Sequence, residues 1–518
     1  MKAEIKNFTV SLACAFAIVA AASSSTEPIT YEMFGAKGDG KTDDRAAIIA
    51  AHKAANEKDL PVRAKDGAVY YVKSDAGTAI VKTDVDFGTA KFVIDDTEVK
   101  KINSPLFTIK PRQDEFPVKG VNSLKREQTN IKTTLPCKCL VHVKNNNVMR
   151  YIRFGANQNN GSPQQEIMVV EADGSIDKGT PLLWDYDNVS SMTAFPIDKN
   201  TLTVKGGTFV NIANQAESKY RYHNRGFLIN RSNVVLDGVR HEVTGELDHG
   251  APYSGFFTIS QCAFVTVTNC VFTAHKTYST IGSAGREVSM GSYDLSVNSA
   301  AYVSFIDSRQ LTDIRDRRYW GLFGSNYCKN LLFDRCEFSR FDAHMGVANA
   351  TILNSKLGYM GIHMIGFGTF RVENTTVYSD YFFDLRSDYG STWEGDVVVK
   401  NCKFVLPKVC KAARVFMGSN SGMHDFGYEC TMPRKISIED FAIDDSNCVN
   451  KNYGGPYLFG NFNPKMKDDS YVEQFPYKTT EEVVLRNVNV NSGRSLALSP
   501  NRYMFRNTKV VSDQPLRQ

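Results

Sequence analysis

Leu202-Thr203-Val204-Lys205-Gly206, Val234-Val235-Leu236-Asp237-Gly238 and Val265-Thr266-Val267-Thr268-Asn269 share one short pattern. Two apolar residues alternate with polar or small ones, and a turn-forming residue follows. The pattern returns with its last position at Asp307, Arg335, Asn354, Asn374, Asn401, Asp440 and Asn487, with a mean step of about 31 residues. Alternation of period two marks a strand, and recurrence at this spacing marks a stacked repeat. A chain of 518 residues is too long for one ordinary core. A solenoid avoids that limit because each coil packs only on its neighbours.

Working outward, the interior is the next readable feature. Three places after the turn position stand Phe209, Phe272, Phe338 and Phe404, with Leu357, Val377, Ile443 and Val490 in other coils. Like residues at equivalent places are expected to stack as the core. Cys270, Cys336 and Cys402 follow the turn position directly, and Cys262 and Cys328 precede it by seven. Ten of the eleven cysteines lie beyond residue 22, and this spacing reads as stacked small core residues rather than a general disulfide framework. The asparagines and aspartates of the turn are expected to hydrogen-bond local backbone. Cys137-x-Cys139 lacks a second metal-binding pair, so a zinc site is not expected.

At the N-terminus, Lys2 and Lys6 precede the apolar run Phe8 to Ala22, which reads as an export signal over 1–22. The run is too short for a comfortable transmembrane helix. The chain is therefore expected to be exported, to the periplasm, the cell surface or the medium. Composition is that of a globular protein, with 42% hydrophobic and 23% charged residues. A net charge of +5 suits a polyanionic partner without requiring one, and nothing in it points to nucleic acid.

Phe34-Gly35-Ala36-Lys37-Gly38-Asp39-Gly40-Lys41-Thr42-Asp43-Asp44 is followed by an alanine-rich helix pattern, Arg45 to Asn56, which Thr42 or Asp43 could cap. This stretch resembles the N-terminal signature of the pectate-lyase-like superfamily. The resemblance implies an all-β, right-handed parallel β-helix whose open end is covered by that capping helix. It does not by itself imply an activity, because lyases, hydrolases, epimerases and viral tailspikes share the fold. The expected organisation is a signal at 1–22, the cap and first coils at 23–111, an insertion at 112–200, and the main β-helix with a C-terminal cap at 201–518. The insertion departs from the ladder. Tyr151-Ile152-Arg153-Phe154 and Ile167-Met168-Val169-Val170 flank a polar loop and read as a small antiparallel β unit. Its Lys119, Lys125, Arg126, Lys132 and Lys138 read as solvated surface.

Between ladder strands the coils carry His, Tyr, Arg and Trp. The segments run Asp248-His249, His275-Lys276-Thr277-Tyr278, Arg315-Asp316-Arg317-Arg318-Tyr319-Trp320, Arg340-Phe341-Asp342-Ala343-His344, His363, and Arg386-Ser387-Asp388-Tyr389 through Trp393. Six coils at ~4.8 Å spacing give a stripe on the order of 25 Å, long enough for several sugars. Arginine pairs with carboxylate or sulfate, and aromatic rings stack on sugars. β-Elimination beside a uronic carboxylate needs a carboxylate neutraliser, a base at C5 and an acid for the departing O4. His275 or His344 is the expected base, Tyr278 the acid and Arg318 the neutraliser. His249, Lys276, Tyr319, Trp320, His363, Arg386, Asp388, Tyr389 and Trp393 are expected to bind substrate.

The coil sequences are similar in character to secreted gut-bacterial lyases of glycosaminoglycans such as chondroitin sulfate and hyaluronan. That resemblance implies a polysaccharide lyase acting on an acidic, uronic-acid-containing polymer. The alternatives are a glycoside hydrolase of the polygalacturonase type, with paired carboxylates such as Asp342 and Asp388, and a non-catalytic glycan-binding β-helix. The polygalacturonase motifs are absent, and Asp248-His249-Gly250 is a partial echo. Ca²⁺ stays open: Asp294, Asp313, Asp316 and Asp342 could supply oxygens, no ligand motif is visible, and no metal ligand is assigned.

Overall fold

A computed structural model describes residues 27–518 except 76, 217–221, 249, 252, 411 and 518. The expected signal segment lies outside the described residues. Thirty-one strands are joined by parallel pairing into one continuous coil. Each full turn contributes strands to three faces. The first face runs through Phe227–Ile229, Phe257–Ser260, Leu295–Asn298, Phe323–Asn326, Tyr381–Leu385 and Arg414–Gly418. The second runs through Val234–Asp237, Ala263–Thr268, Ala301–Ile306 and Lys329–Asp334, and the third through Arg240–Thr244, Val271–Phe272 and Glu337–Phe338. Register is kept from coil to coil along the second face, as in Val234↔Val265 and Val265↔Val303, and shifts at bulges elsewhere, as between Ala343 and Val347.

The ladder position is the corner between the second and third faces. Asn269, Asp307, Arg335, Asn354, Asn374, Asn401, Asp440 and Asn487 all sit at φ between 48° and 54°. Asparagine and aspartate tolerate this left-handed region better than other side chains, which is why they recur. Their side chains do not bond local backbone as expected. They bond one another up the stack: Asn374 Nδ2 to Asn354 Oδ1 (3.0 Å), Asn401 Nδ2 to Asn374 Oδ1 (2.8 Å) and Asn487 Nδ2 to Asp440 Oδ1 (2.7 Å). Each amide offers both a donor and an acceptor, so equivalent asparagines one coil apart satisfy each other.

Inside the coil, Phe209, Phe272, Phe338, Phe404, Leu357, Val377 and Ile443 are fully buried, and Val490 packs on them partly buried. Cys262, Cys270, Cys328, Cys336 and Cys402 are buried free thiols in the same core. Cys410 and Cys448 form a disulfide that spacing did not reveal. The helix Arg45–Lys58 buries Ile48, Ala51 and Ala55 against the first coil. Its N-cap is Asp44, and neither Thr42 nor Asp43 occupies that position. Asp44 accepts from Lys37 N (2.6 Å) and Gly38 N (3.1 Å), fixing the glycine-rich loop instead of the helix end.

The insertion is a four-stranded antiparallel sheet, ordered Ser162–Val170, Cys139–Arg150, Ser191–Pro196, Phe116–Pro117. The expected strand at Tyr151–Phe154 is instead loop, because the paired strand ends at Arg150. The sheet is rooted on the second face by Leu140, Ile167, Val169, Ala263 and Ala301 and by a buried ion pair, Lys329 Nζ to Glu166 Oε2 (2.7 Å).

Candidate functional site

A cleft of about 840 Å³ lies over the first face. Its floor follows from strand alternation. Phe341 and Ala343 point into the core, so Asp342 and His344 point out. Asp342, His363 and Asp384 are in register on three successive strands, forming one outward column. Arg340, Arg386 and Asp388 flank it, and the insertion supplies Arg153 and Phe154 from the side.

His344 is the group with a defined proton arrangement. Asn326 Nδ2 donates to Asn298 Oδ1 (2.8 Å), which leaves Asn326 Oδ1 facing His344 Nδ1 at 2.7 Å. That pairing assigns the proton to Nδ1 and the lone pair to Nε2. Burial, and then the charges of Arg386, Arg153 and Arg340, hold the imidazole well below its usual range, so it stays neutral. His363 is held neutral in the same way, by burial and then Arg340 and Arg386, with Nε2 3.1 Å from the Tyr381 hydroxyl.

The carboxylates divide. Burial raises Asp384 to about 7, with Asp388 and Asp342 adding to a shift that Arg386 and Arg340 oppose. Burial also pushes Asp388 upward, but Arg386 (3.0 Å) and Arg153 (2.7 Å) outweigh it and hold the group below the carboxylate range. Neighbouring groups with such separated affinities for protons are a mark of acid–base chemistry. Arg340 is fully buried between the rings of Tyr293 and Trp320, at 5.4 and 5.5 Å, and donates to Phe323 O. It lies 3.0 Å from Asp342 as an ion pair without hydrogen-bond geometry. Buried polar atoms are normally satisfied. Around this cleft Arg340 Nη1, both Asp342 oxygens, Trp320 Nε1, His363 Nδ1 and Arg153 Nε have no hydrogen-bond partner among the described residues.

His344, His363, Arg386, Asp388 and Trp320 of the expected residues line the cleft. Tyr389 lies behind it, buried, with Arg153 and Arg386 over its ring. The other expected residues fall elsewhere. His275 is buried between Glu246 (3.1 Å) and Asp294 (3.3 Å). Burial would strip its proton, but the hydrogen bonds to Asp294 and Glu246 prevail and raise it to about 10, so it is an imidazolium and no base. Arg318 is 80% exposed, paired with Asp316, and does not line the cleft. Trp393 is fully buried, donating to Gly368 O (2.9 Å), and serves the core. Lys276 bonds the Glu246 segment, and Tyr319 carries the Arg318 guanidinium over its ring. Neither lines the cleft. Tyr278 opens the strand Tyr278–Ile281, its side chain outside the described positions, and His249 is outside the described residues. Reading by residue type missed Arg153, Tyr293 and Asp384. One signal could have found the column: positions 342, 363 and 384 are evenly spaced, each following an inward apolar residue.

Among the described residues no group of three or more His, Cys, Asp or Glu is placed to hold a metal ion. Asp294, Asp313, Asp316 and Asp342 are dispersed, each beside a cationic side chain or histidine of the chain.

No family model matches the chain, and no curated protein matches it. Among solved structures, the tailspike of Pseudomonas phage phi297 superposes with a TM-score of 0.51 at 11% identity, covering 90% of this chain and 80% of that one. This chain is a right-handed parallel β-helix. Looser likenesses include the A-module of the mannuronan C-5 epimerase AlgE6 of Azotobacter vinelandii (TM-score 0.41, 12% identity, 94% and 99% covered). A tailspike of E. coli bacteriophage HK620, in complex with a pentasaccharide, gives 0.44 at 10% identity, with 94% and 81% covered. No helix among the described residues is long and apolar enough to cross a membrane.

Proposed function

We propose that this chain is an exported polysaccharide lyase that cleaves an acidic, uronic-acid-containing polymer, such as chondroitin sulfate or hyaluronan, in the cleft over the first face. The observation that carries the reading is His344: a neutral imidazole, oriented by Asn326, with three guanidinium groups around it. Its Nε2 takes the C5 proton of a uronate. The C5–H electrons form the C4=C5 double bond as the C4–O4 bond breaks, and Asp384, raised to about 7, delivers a proton to the departing O4. Arg386 and the unpartnered Nη1 of Arg340 neutralise the uronate carboxylate, which is what makes the C5 proton removable. These roles replace those first expected for His275, Tyr278 and Arg318.

A second reading has its own observation. Asp342 and Asp384 share a register two strands apart, ~10 Å between backbones at the usual strand spacing. That is close to the spacing of an inverting glycosidase pair. Incubation with a panel of uronic-acid polysaccharides, with and without chelator, separates the two. Elimination yields the ultraviolet absorbance of an unsaturated uronide. New reducing ends without that absorbance mean hydrolysis. Neither product on any polymer leaves a binding protein.

A further inference from the structure

Two excursions leave the β-helix from opposite edges of the cleft floor. The insertion departs after the first-face strand Phe107–Ile109 and returns at the second-face strand Leu202–Ile212, so it rises from the edge between faces one and two. The hairpin Tyr278–Ile281 with Glu287–Met290 lies between third-face Val271–Phe272 and first-face Leu295–Asn298, so it rises from the other edge. Their tips meet. Ala284 N donates to Ala156 O at 3.0 Å, and Ser283 Oγ donates to Gln158 O at 2.6 Å. The two excursions both line the cleft, the insertion with Phe154 to Asn157 and the hairpin with Val288 and Ser289. Ser296, Ser325 and Asp342 of the first face line the same cavity from below. Floor, hairpin and insertion therefore form a ring around the cleft.

The two sides of the ring are held differently at root and tip. The insertion is fixed at its root by the buried Lys329–Glu166 pair, and beside the cleft by Ile152 N to Phe426 O (3.1 Å), Phe154 N to Asp388 O (3.0 Å) and the Arg153–Asp388 pair. The tips meet through hydrogen bonds at their ends. We propose that these tips form a clasp that encloses a single linear, unbranched polysaccharide chain and must part to admit an internal segment from the side. The inference rests on the reading of the cleft as a polysaccharide site. A side branch on the polymer would not pass the ring, so the clasp selects linear chains. Phe154, 53% exposed and tilted against the His424 ring at 4.8 Å, then presents an aromatic surface to the sugar entering beside it.

A reversible lock tests this. The backbone hydrogen bond between residues 156 and 284 brings their chains within reach of a disulfide. The double variant Ala156→Cys, Ala284→Cys is assayed oxidised and after reduction, with each single variant as control. The oxidised form is expected to attack a long linear polymer at least about tenfold more slowly, read as loss of viscosity, with recovery on reduction. A short oligosaccharide, able to enter end-on, should be cut at similar rates in both forms. Unchanged attack on the long polymer by the locked form would overturn the clasp. Retardation of each form in a gel containing the polymer supplies a readout independent of catalysis. If no form makes product but the reduced form alone is retarded, the lyase reading fails and the clasp stands. Equal retardation of both forms refutes the clasp.

Discussion

Replacing Asp384 with asparagine should stabilise the folded protein at alkaline pH and hardly change it at acid pH, while removing turnover. Burial is the main cause of the raised affinity of this carboxyl for its proton, with Asp388 and Asp342 adding to it. Its proton affinity moves from 3.8 to about 7 on folding. At 1.36 kcal/mol per unit, the ionised group costs the folded state about 4 kcal/mol. The side chain is 20% exposed, so solvent reduces this, and about 2–4 kcal/mol is the expected range. Below 3.8 the carboxyl is protonated in both states, and the amide, close to it in shape, brings no gain. As pH rises from 3.8 through about 7, the unfolded chain releases its proton first, and the favourable contribution of the protonated carboxyl is lost. The asparagine variant has no proton to lose, so its advantage opens across that window and then stays level. Urea unfolding of both proteins at about pH 4 and about pH 8 measures it as a shift in midpoint at constant slope. An equal difference at the two pH values, or a variant less stable at about pH 8, would refute the assignment of Asp384 as a desolvated acid. A stabilised but inactive variant is the expected signature of a functional carboxyl held against its own solvation.

The other predictions concern separate parts of the molecule. His275→Gln should destabilise by about 3–5 kcal/mol near neutral pH, because Glu246 and Asp294 lose the cation between them. Wild-type stability attributable to His275 is fully present below 6.5 and lost as pH rises through about 10, so thermal melts should show a decline over that window that the variant lacks. Asn374→Ala should cost about 1–2 kcal/mol for the left-handed backbone alone, plus its two ladder hydrogen bonds. Asn374→Gly should recover the backbone part, as urea midpoints would show. On a cleaved polymer, His344→Ala should lower kcat by ~10²–10⁴ with little change in KM, whereas Arg318→Ala, exposed and outside the cleft lining, should leave both unchanged. A lower kcat in the Arg318 variant would relocate the site.

The fold was legible because a solenoid writes its geometry into the sequence once per coil. Leu236, Val267 and Phe305 each face the core two residues before a corner position. The site was legible only in part, and the reason is visible in two histidines. His275 and His344 sit in segments of similar character, each with Arg or Lys and an aromatic nearby. His344 follows the inward Ala343 on a first-face strand, at a bulge where the register shifts, and lines the cleft. His275 lies at the corner after a third-face strand, where no alternation rule applies, and it turns inward to two carboxylates. Arg318, expected to neutralise a uronate carboxylate, is instead paired with Asp316 within its own loop. Arg153 was hidden by distance, since it belongs to the cleft only through the fold of an insertion more than two hundred residues before Asp388.

The same alternation that places the site also supports it. Asp342 and Asp384, costly groups to desolvate, are each preceded by a phenylalanine on the opposite side of the strand. Phe341 stacks on Phe323 at 5.6 Å, and Phe383 stacks on Phe416 at 4.9 Å, both inside the coil. A slip of one residue in either strand would send the carboxylate into this aromatic column and the phenylalanine into the cleft. The aromatic stack beneath the charged column therefore opposes a slip in register. This explains how buried, unpartnered polar atoms persist over a β-helix face. Their positions are set by the packing of residues one place away in sequence, so they need contribute nothing to folding themselves.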